Sequence, residues 1–148
     1  LIKTKMLTEK ILNYLEENEG KLLPKIQERN AKFLVENGFD QKSSFFQFMS
    51  LYSDEMLGSE GHISDVVGDL IDYSETSYNY QIHINGQIPT NYISLTDNIT
   101  ELFLLYDKST DKVVLVEDGN VNNLINEKFD KNWNSFNDFL TDFFELEE

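Results

Sequence analysis

A chain of 148 residues is long enough to bury about two-thirds of the surface its unfolded form exposes, and its 40% hydrophobic content, with 11 Phe and 7 Tyr, excludes a disordered acidic tail despite a net charge of −15. The absence of Cys excludes disulfides, thiolate metal sites and a cysteine nucleophile. No apolar run approaches the ~20 residues that span a bilayer, and Leu1–Lys10 lacks the long apolar core of a signal peptide. The expectation is one domain over residues 1–148, in the cytoplasm and away from membranes.

Leu7, Ile11, Leu12 and Leu15 recur at helical spacing, and Gly20 follows where a helix ends. Pro24 suits the first turn of a second helix, with Ile26, Ala31, Phe33 and Leu34 on its apolar face and Asn37-Gly38 as its stop. Ser44 with Gln47 forms a capping pattern for a third helix carrying Phe45, Phe48, Met49, Tyr52 and Met56, ended by Gly58 and Gly61. The period then changes. Tyr78, Tyr80, Ile82 and Ile84 alternate with Asn79, Gln81 and His83, which predicts a strand with one buried and one wet face. Asn85-Gly86 predicts a type I′ turn into a return strand over Ile88 to Leu95, with Pro89 making that strand an edge or a bulge.

Leu102 to Tyr106 and Val113 to Val116 are continuous apolar runs joined by a polar turn, and are expected as central strands covered on both faces. Ser135 with Asp138 opens a last helix whose stripe of Trp133, Phe136, Leu140, Phe143 and Phe144 packs on the sheet. The expected fold class is α+β: N-terminal helices, a mostly antiparallel sheet and a C-terminal helix packed on it.

Charge is distributed unevenly. Residues 1–32 hold seven of the twelve basic side chains, whereas between Lys42 and Lys108 there is no Lys or Arg at all against ten carboxylates. Such a single-sign field steers association with a cationic partner; plain solubility is the other explanation. Nucleic-acid binding fails on sign, because affinity there comes largely from Lys and Arg displacing counterions. Tyr78 and Tyr80 at strand spacing lack the flanking cations of a stacking platform and are expected to face the core.

Catalytic chemistry finds little support. His62 and His83, the two histidines, sit in no metal-ligand spacing and are expected as surface residues, His62 in a turn beside Gly61 and His83 on the wet face of its strand. No glycine pattern forms a phosphate loop, and Asp107 to Asp111 with Glu117 lacks calcium-loop spacing and fits a solvated hairpin turn. No cofactor or metal is expected. Recognition remains, with Asp54, Glu55, Glu60, Asp65, Asp69, Asp72 and Glu75 as an electrostatic surface and Tyr73 and Tyr78 as anchors.

The chain resembles the SUKH superfamily, the Smi/Knr-like domain of many bacterial immunity proteins. The residues concerned are Leu23-Pro24 opening a helix that runs to Phe33-Leu34 and Glu36-Asn37-Gly38, the segment from Tyr92 to Val116, and the closing Ser135 to Leu140. The resemblance implies an α+β fold without enzymatic activity that binds and neutralises a cognate protein toxin, often a nuclease of a contact-dependent or polymorphic toxin system. The charge pattern separately favours a basic target. Three other readings stay open: a regulatory or scaffold domain of the same fold docking onto several cellular proteins, a hydrolase using a carboxylate pair, and a mimic of DNA charge.

Overall fold

The computed structural model describes residues 5–97, 99 and 101–146. Leu1–Thr4, the start of the segment considered for a leader, lie outside the described residues. Thr8 caps α1 (Glu9–Asn18) through its side-chain oxygen, Pro24 opens α2 (Pro24–Glu36), and Gly20 and Gly38 follow the two helices at φ of 74° and 79°. The cap of α3 (Ser44–Leu51) is Ser43, one residue before the expected position, and its Oγ accepts from the Phe46 N–H at 3.0 Å.

α3 stops at Leu51, so Met56 and Gly58 belong not to it but to a hairpin of β1 (Met56–Gly58) and β2 (Gly61–Ile63). Ser59 at the turn donates from its backbone N–H to the Phe143 carbonyl at 2.8 Å and from Oγ to the Asp142 carbonyl at 3.1 Å. A Cβ on Gly58 would lie 2.5 Å from the Phe143 ring and carbonyl oxygen. Gly58→Ala is therefore expected to cost about 1–3 kcal/mol in chemical denaturation, since the backbone oxygen cannot yield as a flexible side chain would.

α4 (Val66–Ile71) leads to α5 (Tyr78–Tyr80), a single turn that continues as a π-helical segment over Gln81–Asn85. This replaces the expected strand. Ser77 accepts from the Tyr80 N–H, and Asp69 accepts from the Tyr78 and Asn79 N–H groups, so the free amides of a helix start already have acceptors. Asn79, expected on a wet face, is fully buried, while Ile84 is exposed. No type I′ turn follows: Gly86 has φ −84° and donates to the Gln81 carbonyl, an i to i+5 bond that closes the π turn. Of the expected return strand only β3 (Tyr92–Ser94) forms.

β4 (Phe103–Asp107) and β5 (Lys112–Val116) are the central strands of an antiparallel sheet ordered β3-β4-β5-β6, with β6 at Lys131–Trp133 and the short α6 at Val121–Ile125 before it. Both faces are covered, as the continuous apolar runs require. Leu104, Tyr106, Val113 and Leu115 join the main core with α1, α3 and α7 (Phe136–Phe143), while Phe103, Leu105, Val114 and Val116 form a second core with Ile82, Ile88 and Leu124. Trp133, expected on the last helix, sits on β6 and donates from Nε1 to Asp142 at 3.0 Å.

β3 has Pro89 just before it and lies at the sheet edge, where side chains take its outward backbone groups. The Asn79 amide accepts from the Ser94 N–H at 2.8 Å and faces its carbonyl at 3.5 Å, and His83 Nε2 donates to the Tyr92 carbonyl at 2.6 Å.

The β4–β5 turn is less solvated than expected. Asp111, at φ 67°, is buried and accepts from the Tyr106 hydroxyl at 2.8 Å and the Phe136 N–H at 3.5 Å. Burial holds its carboxyl above the usual range despite those hydrogen bonds. Burial also acts on Asp107, but hydrogen bonds from Ser109 and Asn91 outweigh it and hold that carboxyl low. The two groups act on stability with opposite signs. Folded Asp111 takes up its proton at a pH where the unfolded chain, with its carboxyl near about 3.9, has lost it, so its contribution improves as pH falls through the folded value. The Asp107 contribution is present above about 3.9 and is lost as pH falls below it. In urea denaturation from pH 7 down to about 4, the native chain is expected to gain stability relative to Asp111→Asn; a constant difference would show that Asp111 ionises as it does in water.

Candidate functional site

The acidic segment folds into the β1–β2 hairpin, α4 and the turns around them, and the fold uses its carboxylates in different ways. Asp69 Oδ2 accepts from Ser77 Oγ and from the Asn79 N–H and Nδ2, and Oδ1 accepts from the Tyr78 N–H, all at 2.9–3.0 Å. Asp65 caps α4 by accepting from the Gly68 N–H at 3.1 Å but is itself exposed. Glu60 is drawn against Lys131 at 2.7 Å, leaving its side chain 11% exposed. Asp54, Glu55, Asp72 and Glu75 are exposed and have no side-chain hydrogen bond or ion pair among the described residues.

The two expected tyrosine anchors differ. Tyr73 is partly exposed and its hydroxyl lies 2.9 Å from His83 Nδ1. Burial raises its pKa, with the charges of Tyr80 and Asp69 adding to the effect. The Tyr78 hydroxyl is sealed from solvent beside Ser64 without a well-formed hydrogen bond. Its proton is held far more tightly than in water, first by burial and then by the charges of Asp69, Asp65 and Asp97, while Ser64 opposes the shift. Tyr78 contributes inside the fold rather than on its surface.

Asp54 and Glu55 stand between Leu23 and Leu57, the two most exposed large hydrophobic side chains among the described residues, at 70% and 79%. A concavity bounded by Leu23, Ile26, Tyr52, Asp54, Glu55 and Met56 meets a second one lined by Glu55, Met56, Leu57 and His62. His62, placed in β2 rather than in a turn, lies across the hairpin from Leu57. Its Nε2 is 3.2 Å from Asp97 Oδ1. Asp97 is one more exposed carboxylate, and with Glu60 and His62 it lines a third concavity. Two cations near the ends of this surface are engaged, Lys21 with Glu16 at 3.6 Å and Lys131 with Glu60. Under the first concavity, Tyr52 donates to Glu16 at 2.6 Å, and burial together with that carboxylate pushes its pKa up to about 12.

The chain therefore brings Asp54, Glu55 and Asp97 into one apolar-rimmed acidic surface. Tyr73 lies elsewhere: its surroundings include Phe33 and Asn37 at the C-terminal end of α2, whereas Leu23 and Ile26 mark the N-terminal end, roughly 10–15 Å away along the axis. Sequence reasoning missed Leu23, Leu57 and the His62–Asp97 pair. The first two carry no sequence signal of exposure, and the pair joins residues 35 apart. Among the described residues no three His, Asp or Glu side chains converge as a metal-binding group, and no helix is long and apolar enough to cross a membrane. Comparison with known families, curated proteins and solved structures gives no match for this chain.

Proposed function

We propose that this protein is a non-enzymatic immunity protein that captures a basic, nuclease-like protein toxin. Its contact surface is formed by Asp54 and Glu55 between Leu23 and Leu57 and by Asp97 in the adjoining concavity beyond His62, with Asp65, Asp72 and Glu75 adding to the attracting field. The observation that supports this reading is a 65-residue stretch without a Lys or Arg, Ser43 to Asp107, in which the exposed carboxylates of Asp54, Glu55, Asp72 and Glu75 have no side-chain hydrogen bond or ion pair among the described residues. Carboxylates left in water favour a partner bearing Lys or Arg, and exposed leucines beside them supply the apolar contact that charge alone does not. Steering by such a field can lift association toward about 10⁸ M⁻¹s⁻¹ at low salt, which suits stoichiometric capture of a toxin.

The test is affinity capture of the tagged chain from its own cells at low and raised salt, beside the variant Asp54→Lys/Glu55→Lys/Asp72→Lys. One near-stoichiometric basic partner, released by salt, is expected for the native chain. The variant is expected to associate with it at least about tenfold more slowly, with little change in dissociation. Asp69 is left intact because its loss would disturb the fold. Several partners of modest affinity, insensitive to salt and to the variant, would replace this reading with a regulatory scaffold.

A further inference from the structure

At the C-terminal end of α2 a cleft of about 280 Å³ opens between Phe33, Phe39, Leu70 and Ile93, with Lys108, Thr90, Tyr73 and His83 as polar members of its lining. A cavity of about 150 Å³ holds benzene, so this one has room for an aromatic ring and a short chain. Lys108 is the one charged side chain among the lining residues apart from the titratable His83. The protein has 27 acidic residues, and Asp107 and Asp111 flank this lysine closely, yet its ammonium makes no ion pair among the described residues. It sits instead 5.4 Å from the centre of the Phe39 ring. The reason is local: Asp107 is taken by Asn91 and Ser109, and Asp111 by Tyr106.

The polar wall is fixed in orientation. The Tyr92 carbonyl can only accept, so His83 Nε2 carries a proton, and in the neutral ring Nδ1 accepts from Tyr73. His83 is presented by the π-helical segment, a geometry that recurs at functional sites. The Tyr73 phenol is neutral at about pH 7, so the cleft offers aromatic walls, hydroxyl groups, an imidazole and the Lys108 ammonium.

We infer that this cleft is a second binding site, separate from the acidic surface, and that it takes a free small aromatic monocarboxylate, the ring lying against Phe33 and Phe39 and the carboxylate meeting Lys108. The site does not depend on the capture of a toxin.

The experiment is a two-dimensional ¹H–¹⁵N NMR titration of the full chain with 3-phenylpropionate, its neutral amide, and the tripeptide acetyl-Gly-Gly-Phe. Saturable shifts at Tyr73, His83 and Ile93 are expected with the acid in the millimolar range, with the amide about tenfold weaker, as loss of one charge-assisted hydrogen bond predicts. Lys108→Met is expected to bring acid and amide to equal affinity. Thr90→Trp, at an exposed position on the lining, is expected to abolish both sets of shifts while leaving the β4 and β5 resonances in place. Absence of saturable shifts, or an acid preference unchanged in Lys108→Met, overturns the site. Tenfold tighter binding of the tripeptide overturns the free-molecule assignment in favour of a protein C-terminus.

Discussion

Phe136→Ala is expected to lower the unfolding free energy by about 4 kcal/mol, the cost of emptying a fully packed aromatic site. Phe136 is completely buried at the start of α7, with ring centres of Phe45, Phe48, Tyr106 and Phe139 at 5.1, 5.5, 5.5 and 6.0 Å. It therefore joins α3, β4 and α7 at one point. Phe45 and Tyr106 are already stacked on each other at 3.9 Å and 7°, a pairing that leaves those rings little freedom to collapse into the cavity. Urea denaturation followed by far-ultraviolet circular dichroism measures the loss. A change below about 1 kcal/mol would mean that the surrounding rings refill the space and that no single ring holds the layers together.

Asp69→Ala is expected to cost about 3 kcal/mol by a different route. The carboxylate accepts four hydrogen bonds, and its removal strands the Ser77 hydroxyl, the Tyr78 and Asn79 N–H groups and one bond of the Asn79 amide. Asn79 in turn holds the Ser94 N–H, so the damage passes from α5 to the edge of the sheet. Hydrogen exchange should show the amides of Tyr78, Asn79 and Ser94 opening first while β4 and β5 stay protected. Asp69→Asn keeps the shape and one acceptor oxygen and is expected to cost about half as much. Equal losses in the two variants would point to charge rather than hydrogen bonding.

These two residues also mark what was legible in the sequence. Phe136 belongs to a stripe with a cap at Ser135, and α7 begins where that cap placed it, although Trp133, read as part of the stripe, lies on β6. β4 and β5 were equally readable, because strands covered on both faces must be apolar throughout. The segment from Tyr78 to Ile84 was not readable. Its alternation satisfied a strand; Ser77, the local cap, was the one helix signal beside it, and the further acceptors come from Asp69, up to ten residues upstream, which nothing local announces. The burial of Asn79 likewise answers a need of β3, fifteen residues ahead.

The same limit applies to the candidate site. A missing set of cations is visible in a one-dimensional string, so the acidic character could be read directly. Which acids face water could not, since Glu60 meets Lys131 from the far end of the chain and Asp69 turns inward. The exposure of Leu23 and Leu57 follows from how α2 and the hairpin dock. The cleft beside Lys108 draws on segments from residue 33 to residue 108 and has no contiguous signature at all.

The side chains laid along β3 bear on how copies of this protein behave toward one another. A bare outer strand is a template on which an extended chain can add, and that reaction grows with concentration. Here the Ser94 N–H is taken by Asn79, the Tyr92 carbonyl by His83, and the Tyr92 N–H by the Pro89 carbonyl. An incoming strand would have to displace an asparagine, a histidine and a turn before forming its first rung. This border of the sheet is closed to fibre growth, and the chain can be stockpiled at high concentration without recruiting its own copies there.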